Sequence, residues 1–284
     1  MIDFFMGMMR MGIIEVRNLT FKYANSDKPS LYNINLSIDK GEFLLITGPT
    51  GCGKTTLCKC LNGLIPNSYN GDFNGEVIID GLSTKEHPVH EIAQHVGLVF
   101  QDPENELFCT SVEKEIAFGP ENLGLSREEI RRRVEEAMAM VGISHLRERS
   151  PYELSGGEQQ KVAIAALLAM KPKILVLDEP TSNLDPFSAY SILNLLFNLK
   201  KEYEMTIILI EHRLDMVAKI VDRCVIMNEG RIIAIGPPEE VLYSDIVESI
   251  GIGIPKIVKL VKTLGLSSRP LSSNVLADIL KVKK

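Results

Sequence analysis

The sequence predicts an α/β fold built on a mainly parallel sheet. An antiparallel β part comes first, a helical insertion interrupts the core and a small helical tail follows it. Three observations carry this reading. Unbroken apolar runs (Phe43–Thr47, Val96–Phe100, Ile174–Leu177 and Thr206–Ile210) suit strands buried on both faces. Helix-like stretches separate them, and strand–helix alternation places neighbouring strands parallel. A glycine-rich segment joins the first run to a helix.

The elements follow in order. Ile13–Val16 and Leu19–Tyr23 have strand composition, with Asn18 between them. Leu31–Ile38 alternates apolar and polar side chains, the mark of a half-buried strand. Asp39-Lys40-Gly41 is a turn before Phe43–Thr47, and a helix runs from Lys54 to Leu61. Val77–Ile79 is a strand closed by Asp80-Gly81. From Gln101 to Tyr152 charged helices dominate. In one of them Ser126 and Glu129 form a capping box and Gly142 supplies the stop. The α/β alternation then resumes: helix 157–170, strand 174–177, helix 186–200, strand 206–210, helix 214–220. Val225–Asn228 and Arg231–Ile235 flank Glu229-Gly230, a hairpin signal. Gly236-Pro237-Pro238 marks a boundary. The chain divides into an N-terminal extension (1–12), a core (13–238) with a helical insertion at about 102–154, and a tail (239–284).

Composition narrows the function. Of 284 residues, 45% are hydrophobic and 24% charged, enough apolar material for a sizeable core. A net charge of −6 argues against a nucleic-acid binder that works by bulk charge. A spanning helix needs about 20 apolar residues. The best candidate, Val162–Met170, is short and bounded by Lys161 and Lys171. The apolar N-terminal stretch has no basic leader and no long apolar core, unlike a signal peptide. Five cysteines without metal-ligand spacing read as free thiols of a reducing compartment. Composition alone therefore suggests a soluble, acidic, cytosolic protein.

The chemistry lies in three segments. Gly48-Pro49-Thr50-Gly51-Cys52-Gly53-Lys54-Thr55 fits the phosphate-loop pattern at every fixed position, between a strand and a helix. Glycines let the backbone wrap so that N–H groups face phosphate oxygens, and the helix start adds positive potential. Lys54 then reaches the β- and γ-phosphates, and the Thr55 hydroxyl is a Mg²⁺ ligand. Asp178-Glu179 closes the apolar run Ile174–Leu177, which delivers two acids to the C-terminal edge of a parallel sheet, where ligands bind. Asp178 suits Mg²⁺, and Glu179 suits a base that polarises the attacking water. Leu154-Ser155-Gly156-Gly157-Glu158-Gln159 is the third, a serine and two glycines at a helix start.

In this order, the phosphate loop, Leu154–Glu158 and Ile174–Pro180 resemble the nucleotide-binding subunit of an ATP-binding-cassette protein, over about residues 13–240. The resemblance implies a P-loop nucleoside-triphosphatase core that uses ATP and Mg²⁺. It implies that residues 48–56, including Thr56, hold the nucleotide, and that Tyr23 stacks on adenine. Thr55, Gln101 and Asp178 would serve Mg²⁺, with Gln101 also sensing a membrane partner. Glu179 would be the catalytic base, His212 would contact the γ-phosphate, and Asp185 would couple two nucleotide sites across a dimer. Ser155, Gly156, Gly157 and Glu158 would bind a γ-phosphate held by another subunit, in a head-to-tail ATP sandwich that closes on ATP and opens on hydrolysis.

With no spanning segment, a transport role needs separate membrane subunits. An importer subunit, an exporter subunit and a soluble non-transport cassette all remain as readings. The segments 101–108, 110–112 and 116–123 resemble the energy-coupling-factor importers for vitamins and for cobalt or nickel ions. So do Ile210-Glu211-His212-Arg213 and the tail around Gly253-Ile254-Pro255, which looks like that family's dimerisation extension. This implies a second ATPase subunit (identical or a paralogue), a transmembrane coupling subunit and a substrate-binding membrane subunit, with the chain peripheral on the cytoplasmic side of the cell membrane. Two further expectations concern side chains. Glu104, Glu106, Glu113 or Glu115 would pair with basic residues of the membrane partner. Cys52, if exposed, would react with thiol reagents and be protected by ATP.

Overall fold

The computed structural model describes residues 12–282, so the expected extension 1–12 lies outside the described residues except for Gly12. The strands are β1 (Ile14–Tyr23), β2 (Leu31–Ile38), β3 (Phe43–Thr47), β4 (Gly71–Ile79), β5 (Leu82–Ser83), β6 (Val96–Val99), β7 (Ile174–Asp178), β8 (Thr206–Ile210), β9 (Arg223–Asn228) and β10 (Arg231–Gly236). The longer helices are α1 (Lys54–Leu61), α2 (Val112–Asn122), α3 (Arg127–Val141), α4 (Gly156–Ala169), α5 (Pro186–Tyr203), α6 (Lys256–Thr263) and α7 (Ser273–Val282).

Two sheets form. One has the order β2-β1-β4-β5 and is antiparallel; the other has the order β10-β9-β3-β8-β7-β6 and is parallel except for the β9–β10 hairpin. Every residue of β3, β7 and β8 is buried. Their side chains alternate between two cores. Phe43, Leu45, Leu175, Leu177, Ile207 and Leu209 face the core shared with α2 to α5. Leu44, Ile46, Ile174, Val176, Ile208 and Ile210 face the core shared with α1 and the antiparallel sheet. Both faces are dry, which is why these strands read as unbroken apolar runs. Truncating Leu45 or Ile208 to alanine costs about 2–5 kcal/mol.

The structure corrects several expected boundaries. The two short strands 13–16 and 19–23 are one strand, β1, whose register to β2 shifts between Val16 and Leu19. Asn18 takes φ +50 in that irregularity, a conformation Asn tolerates better than most residues. β4 begins at Gly71 rather than Val77, because its polar first half pairs through the backbone with Arg17–Tyr23. β6 ends at Val99, since the Phe100 N–H turns to the Glu106 carboxylate at 2.6 Å. The helix expected at 214–220 closes after Val217, while those at 157–170 and 186–200 run 156–169 and 186–203. Ser126 caps α3 by accepting from Glu129 N. The return half of the expected capping box is absent among the described residues, because the Glu129 carboxylate is taken by Arg132 and Arg133.

After the hairpin, short helices pack back on the core. Lys256 N donates to Asp215 at 2.6 Å and the Tyr243 hydroxyl to Pro270 O at 2.7 Å. α6 buries Val258 and Val261 and leaves Leu260 exposed.

Candidate active site

The phosphate loop is fixed by its neighbours. Gly53, the residue before α1, has φ +107, and a Cβ there would lie 2.5 Å from Ser30 O. At Gly48 a Cβ would lie 2.2 Å from Met227 O. Gly230 N donates to Cys52 O at 2.9 Å and Tyr32 N to Gly230 O at 2.7 Å, so the β9–β10 turn and β2 brace the loop. Among the described residues the amides of Gly53, Lys54, Thr55 and Thr56 donate to no carbonyl or side chain, as the first turn of a helix leaves them. Lys54, 5% exposed, turns its ammonium back onto Gly48 O and Pro49 O, both at 3.0 Å. Donors and lysine thus converge on one concave backbone. Cys52 is buried, and burial raises its thiol pKa, with Lys54 opposing. The condition attached to its reactivity, exposure, is not met: a covered thiol whose pKa burial raises reacts slowly.

Tyr23 ends β1 beside α1. Its hydroxyl is 3.3 Å from Thr56 Oγ1, and its ring meets Phe21 and Tyr69 edge-on. Asp178, the last residue of β7, is buried; burial raises its carboxyl pKa, while the Thr55 hydroxyl and the Lys54 ammonium pull it down. Glu179 follows with φ +51, a left-handed conformation unusual for a non-glycine residue. Its N–H donates to Ile210 O at 3.1 Å, and its carboxylate lies 2.8 Å from His212 Nε2. β7 and β8 therefore deliver Asp178, Glu179 and His212 to one sheet edge, as adjacency in the sheet requires.

Gln101 is exposed at the rim of a cleft of about 400 Å³, lined also by Asp102, Gly156, Gln160, Asn183 and Leu184. Glu106, which holds Phe100 N, is largely covered, and burial raises its pKa to about 7 against the pull of that hydrogen bond. Glu115 is buried and accepts Phe108 N (2.9 Å) and Cys109 N (2.6 Å). Glu113 pairs with Arg147 at 2.9 Å. Three of the four acids expected to meet a partner are thus used inside the chain, and only Glu104 of the four is exposed. Glu106 and Glu115 thus shape the loop after Gln101, and of the four acids Glu104 is the one left open to a partner.

Ser155 to Glu158 form a separate group. The Glu158 carboxylate accepts Ser155 N–H at 2.9 Å and Ser155 Oγ–H at 2.7 Å, and these bonds lower its pKa. Gly156 packs against Leu184, and a Cβ on Gly157 would come within 3.0 Å of Ser188. Among the described residues no hydrogen bond joins this group to residues 48–56. Asp185 caps α5, accepting Phe187 N (2.8 Å) and Ser188 N (3.1 Å).

The ABC transporter family pattern matches residues 31–182, more than half of the chain. The chain belongs to the ABC transporter family. A Pyrococcus abyssi protein named as an ABC transporter ATP-binding protein is 50% identical over 95% of this chain and 99% of its own length. An energy-coupling factor transporter ATP-binding protein of Caldanaerobacter subterraneus is 45% identical over 93% of each chain. Among solved structures, cbiO1 of Clostridium perfringens, part of the ABC transporter complex cbiONQ, aligns with TM-score 0.76 and 35% identity over 88% of this chain and 99% of its own. A dimeric ATP-binding cassette in a post-hydrolysis state with ADP and Pi aligns with TM-score 0.69 and 28% identity, over 79% of this chain and 98% of its own. The fold is therefore that of the P-loop ABC ATPases, and the activity is ATP hydrolysis coupled to transport. No helix of the described residues is long and apolar enough to cross a membrane.

In this ABC ATPase the fold sets Lys54 over the loop before α1 and brings Glu179 against His212, while Ser155–Glu158 stand apart from both. The sequence reading passed over Glu211 and Arg213 as chemistry. Glu211 is 2% exposed, and a carboxylate that ends an apolar strand is the signal that could have found it.

Proposed function

We propose that this ABC ATPase powers an energy-coupling-factor type importer of vitamins or of cobalt or nickel ions, as one of two ATPase subunits on the cytoplasmic face of the membrane. The observation that carries this reading is the 45% identity to an energy-coupling factor ATPase over nearly the full length of both chains. Likeness to a member of the cbiONQ complex supports it. In this reading the partners are a second cassette, identical or a paralogue, a transmembrane coupling subunit and a substrate-binding membrane subunit. Residues 13–238 are the nucleotide-binding domain, 102–154 its helical insertion and 239–284 a dimerisation extension; exposed Leu260 and Leu264 in that extension suit such a contact.

The amides of residues 53–56 and the Lys54 ammonium receive the phosphate oxygens of ATP, and Tyr23 offers its ring to the base. Among the described residues no group of three or more His, Cys, Asp or Glu could hold a metal ion. One buried carboxylate, Asp178, beside one hydroxyl, Thr55, is a sparse oxygen set. It fits Mg²⁺, a cation that usually keeps several waters and needs few protein ligands; Thr55, Asp178 and Gln101 would hold it. Bound there, Mg²⁺ would neutralise charge on the β- and γ-phosphates. Glu179 is aimed by its backbone bond to Ile210 O and by the 2.8 Å contact to His212. It accepts the proton of the attacking water while His212 faces the γ-phosphate. Ser155–Glu158 contact the ATP held by the other subunit, and Asp185 links the two sites.

Two experiments test this. Glu179→Gln should cut ATP turnover by about 10²-fold or more while ATP binding persists and a nucleotide-bound dimer accumulates; near-normal turnover would remove Glu179 from its role. Affinity capture from detergent-solubilised membranes should recover a coupling protein and a small substrate-binding membrane protein. Recovery of only ribosomes or DNA-end complexes would overturn the importer reading in favour of a soluble cassette.

A further inference from the structure

Loop 181–185, between Glu179 and α5, is tied down from two sides by side chains that no step above uses. On one side stands Glu211, 2% exposed, directly after β8. One of its oxygens accepts the backbone N–H of His212 (2.8 Å) and of Arg213 (3.0 Å), and the other accepts the Thr181 hydroxyl. The Arg213 guanidinium donates to Leu184 O at 2.9 Å and Ser182 O at 3.3 Å. On the other side, Asn183 Nδ2 donates to Asp102 Oδ1 at 2.7 Å, one residue beyond Gln101.

A buried carboxylate is costly unless donors converge on it. Glu211 has three, and all lie on the two segments that carry His212 and Asp185. Arg213 adds two bonds to carbonyls at either side of Asn183, so four consecutive residues of the loop are held. Asp185 follows directly and is tied in turn to α5, accepting Phe187 N at 2.8 Å and Ser188 N at 3.1 Å, so its backbone is held between these anchors and the helix.

We propose that Glu211, Arg213 and the Asn183–Asp102 contact form a clamp that makes the Gln101, Asp185 and His212 segments move as one body. Glu211, Arg213, Asn183 and Asp102 are positioning residues for ATP hydrolysis. A displacement of the Gln101 segment pulls Asp102, moves loop 181–185 and reaches His212 and its contact with Glu179. Such a shift of one rigid element between two arrangements is how a remote contact biases a site. This inference rests on the roles proposed above for Gln101, Asp185 and His212.

Arg213→Ala and Asn183→Ala in the full chain test it. Arg213 is half-buried and Asn183 exposed, so both variants keep the apolar core. Hydrogen exchange of the amides in 181–186, measured without nucleotide, should rise about tenfold in each as bonds holding the loop are lost. Steady-state kcat should fall about 10–100-fold with KM within about twofold, since misplaced groups slow chemistry more than binding. Arg213→Lys, which can still reach one carbonyl, should recover part of kcat. The double variant should lose less than the product of the single losses, because both act through one loop. Wild-type exchange and kcat in Asn183→Ala, or a loss confined to KM, would overturn the clamp even if Arg213→Ala proved unstable. Normal turnover in Asp185→Ala and His212→Ala would instead sink the roles on which the clamp rests. The exchange measurement needs no catalysis and still decides whether the three segments are tied.

Discussion

The chain has two glycine-rich helix starts, at α1 and at α4, and they are finished in opposite ways. The first turn of α1 holds no acidic residue, its amides have no partner among the described residues and a buried lysine sits over the loop. The first turn of α4 already contains a carboxylate, Glu158, bonded to Ser155. A helix start attracts anions through its unpaired amides and its dipole. At α1 that attraction is undiluted. At α4 it is partly neutralised, and the segment is exposed on the surface. In the function proposed above, the loop before α1 is the anion site that one chain completes. The Ser155–Glu158 segment, weaker alone, would then act only on a phosphate already held by another surface.

The largest break in this contrast is Lys54→Ala. It should abolish ATP binding and lower kcat/KM by about 10³-fold or more, because a charge aimed at the phosphates is lost from a covered site. Turnover assays and binding of a fluorescent nucleotide check this. Next is Ser155→Arg at the exposed end of α4. Nucleotide affinity of the isolated subunit should stay within about twofold while turnover falls about 10²-fold, since the fault appears only when two surfaces meet. Equal loss of affinity would erase the distinction between the two helix starts.

A third prediction concerns stability. Gly53→Ala should cost about 2–4 kcal/mol, since φ +107 and a 2.5 Å approach to Ser30 O both penalise a methyl group. Gly156→Ala, in a helical position with its nearest neighbour at 3.4 Å, should change stability by less than about 1 kcal/mol. Chemical denaturation measures both.

The smallest effect separates two carboxylates that each accept a backbone N–H. Glu106 is pushed to about 7 by burial. Its contribution to stability is full below its ordinary value near 4.5 and is lost as pH rises through about 7. Glu158 is pulled down by Ser155, so its contribution is present above that ordinary range and lost on acidification. Glu106→Gln should therefore gain stability relative to the parent chain between pH about 5 and 7, by about 1–3 kcal/mol. Glu158→Gln should lose stability above pH about 5 and match the parent in acid. Thermal melts across pH read both signs.

Most of the fold was legible because the sheet centre is coded by runs that leave no alternative. Phe43–Thr47 and Thr206–Ile210 have no polar side that could face water, and their bounds came out as expected. What was hidden is held by the backbone or by pairs far apart in sequence. Gly71–Glu76 carries polar side chains and becomes a strand only because β1 offers a partner. Glu106 and Glu115 read as acids available to a partner because nothing nearby in sequence signals the amides of Phe100, Phe108 and Cys109 that claim them. The site followed the same division. Phosphate loop and Asp178-Glu179 are contiguous motifs. The Glu211–Thr181 and Asn183–Asp102 bonds cross 30 and 81 positions.

The position of β3 bears on the order of synthesis. Its two neighbours in the sheet are β8 and β9, and Phe43 N–H bonds to Asp222 across 179 positions. The β9–β10 turn that braces the phosphate loop comes later still. A chain emerging from the ribosome carries its nucleotide motif early but lacks the strands and turn that hold it in shape until Gly230 has been added. Nascent chains stopped before Arg223 should ignore ATP, and those carried past Gly236 should be the first to bind it.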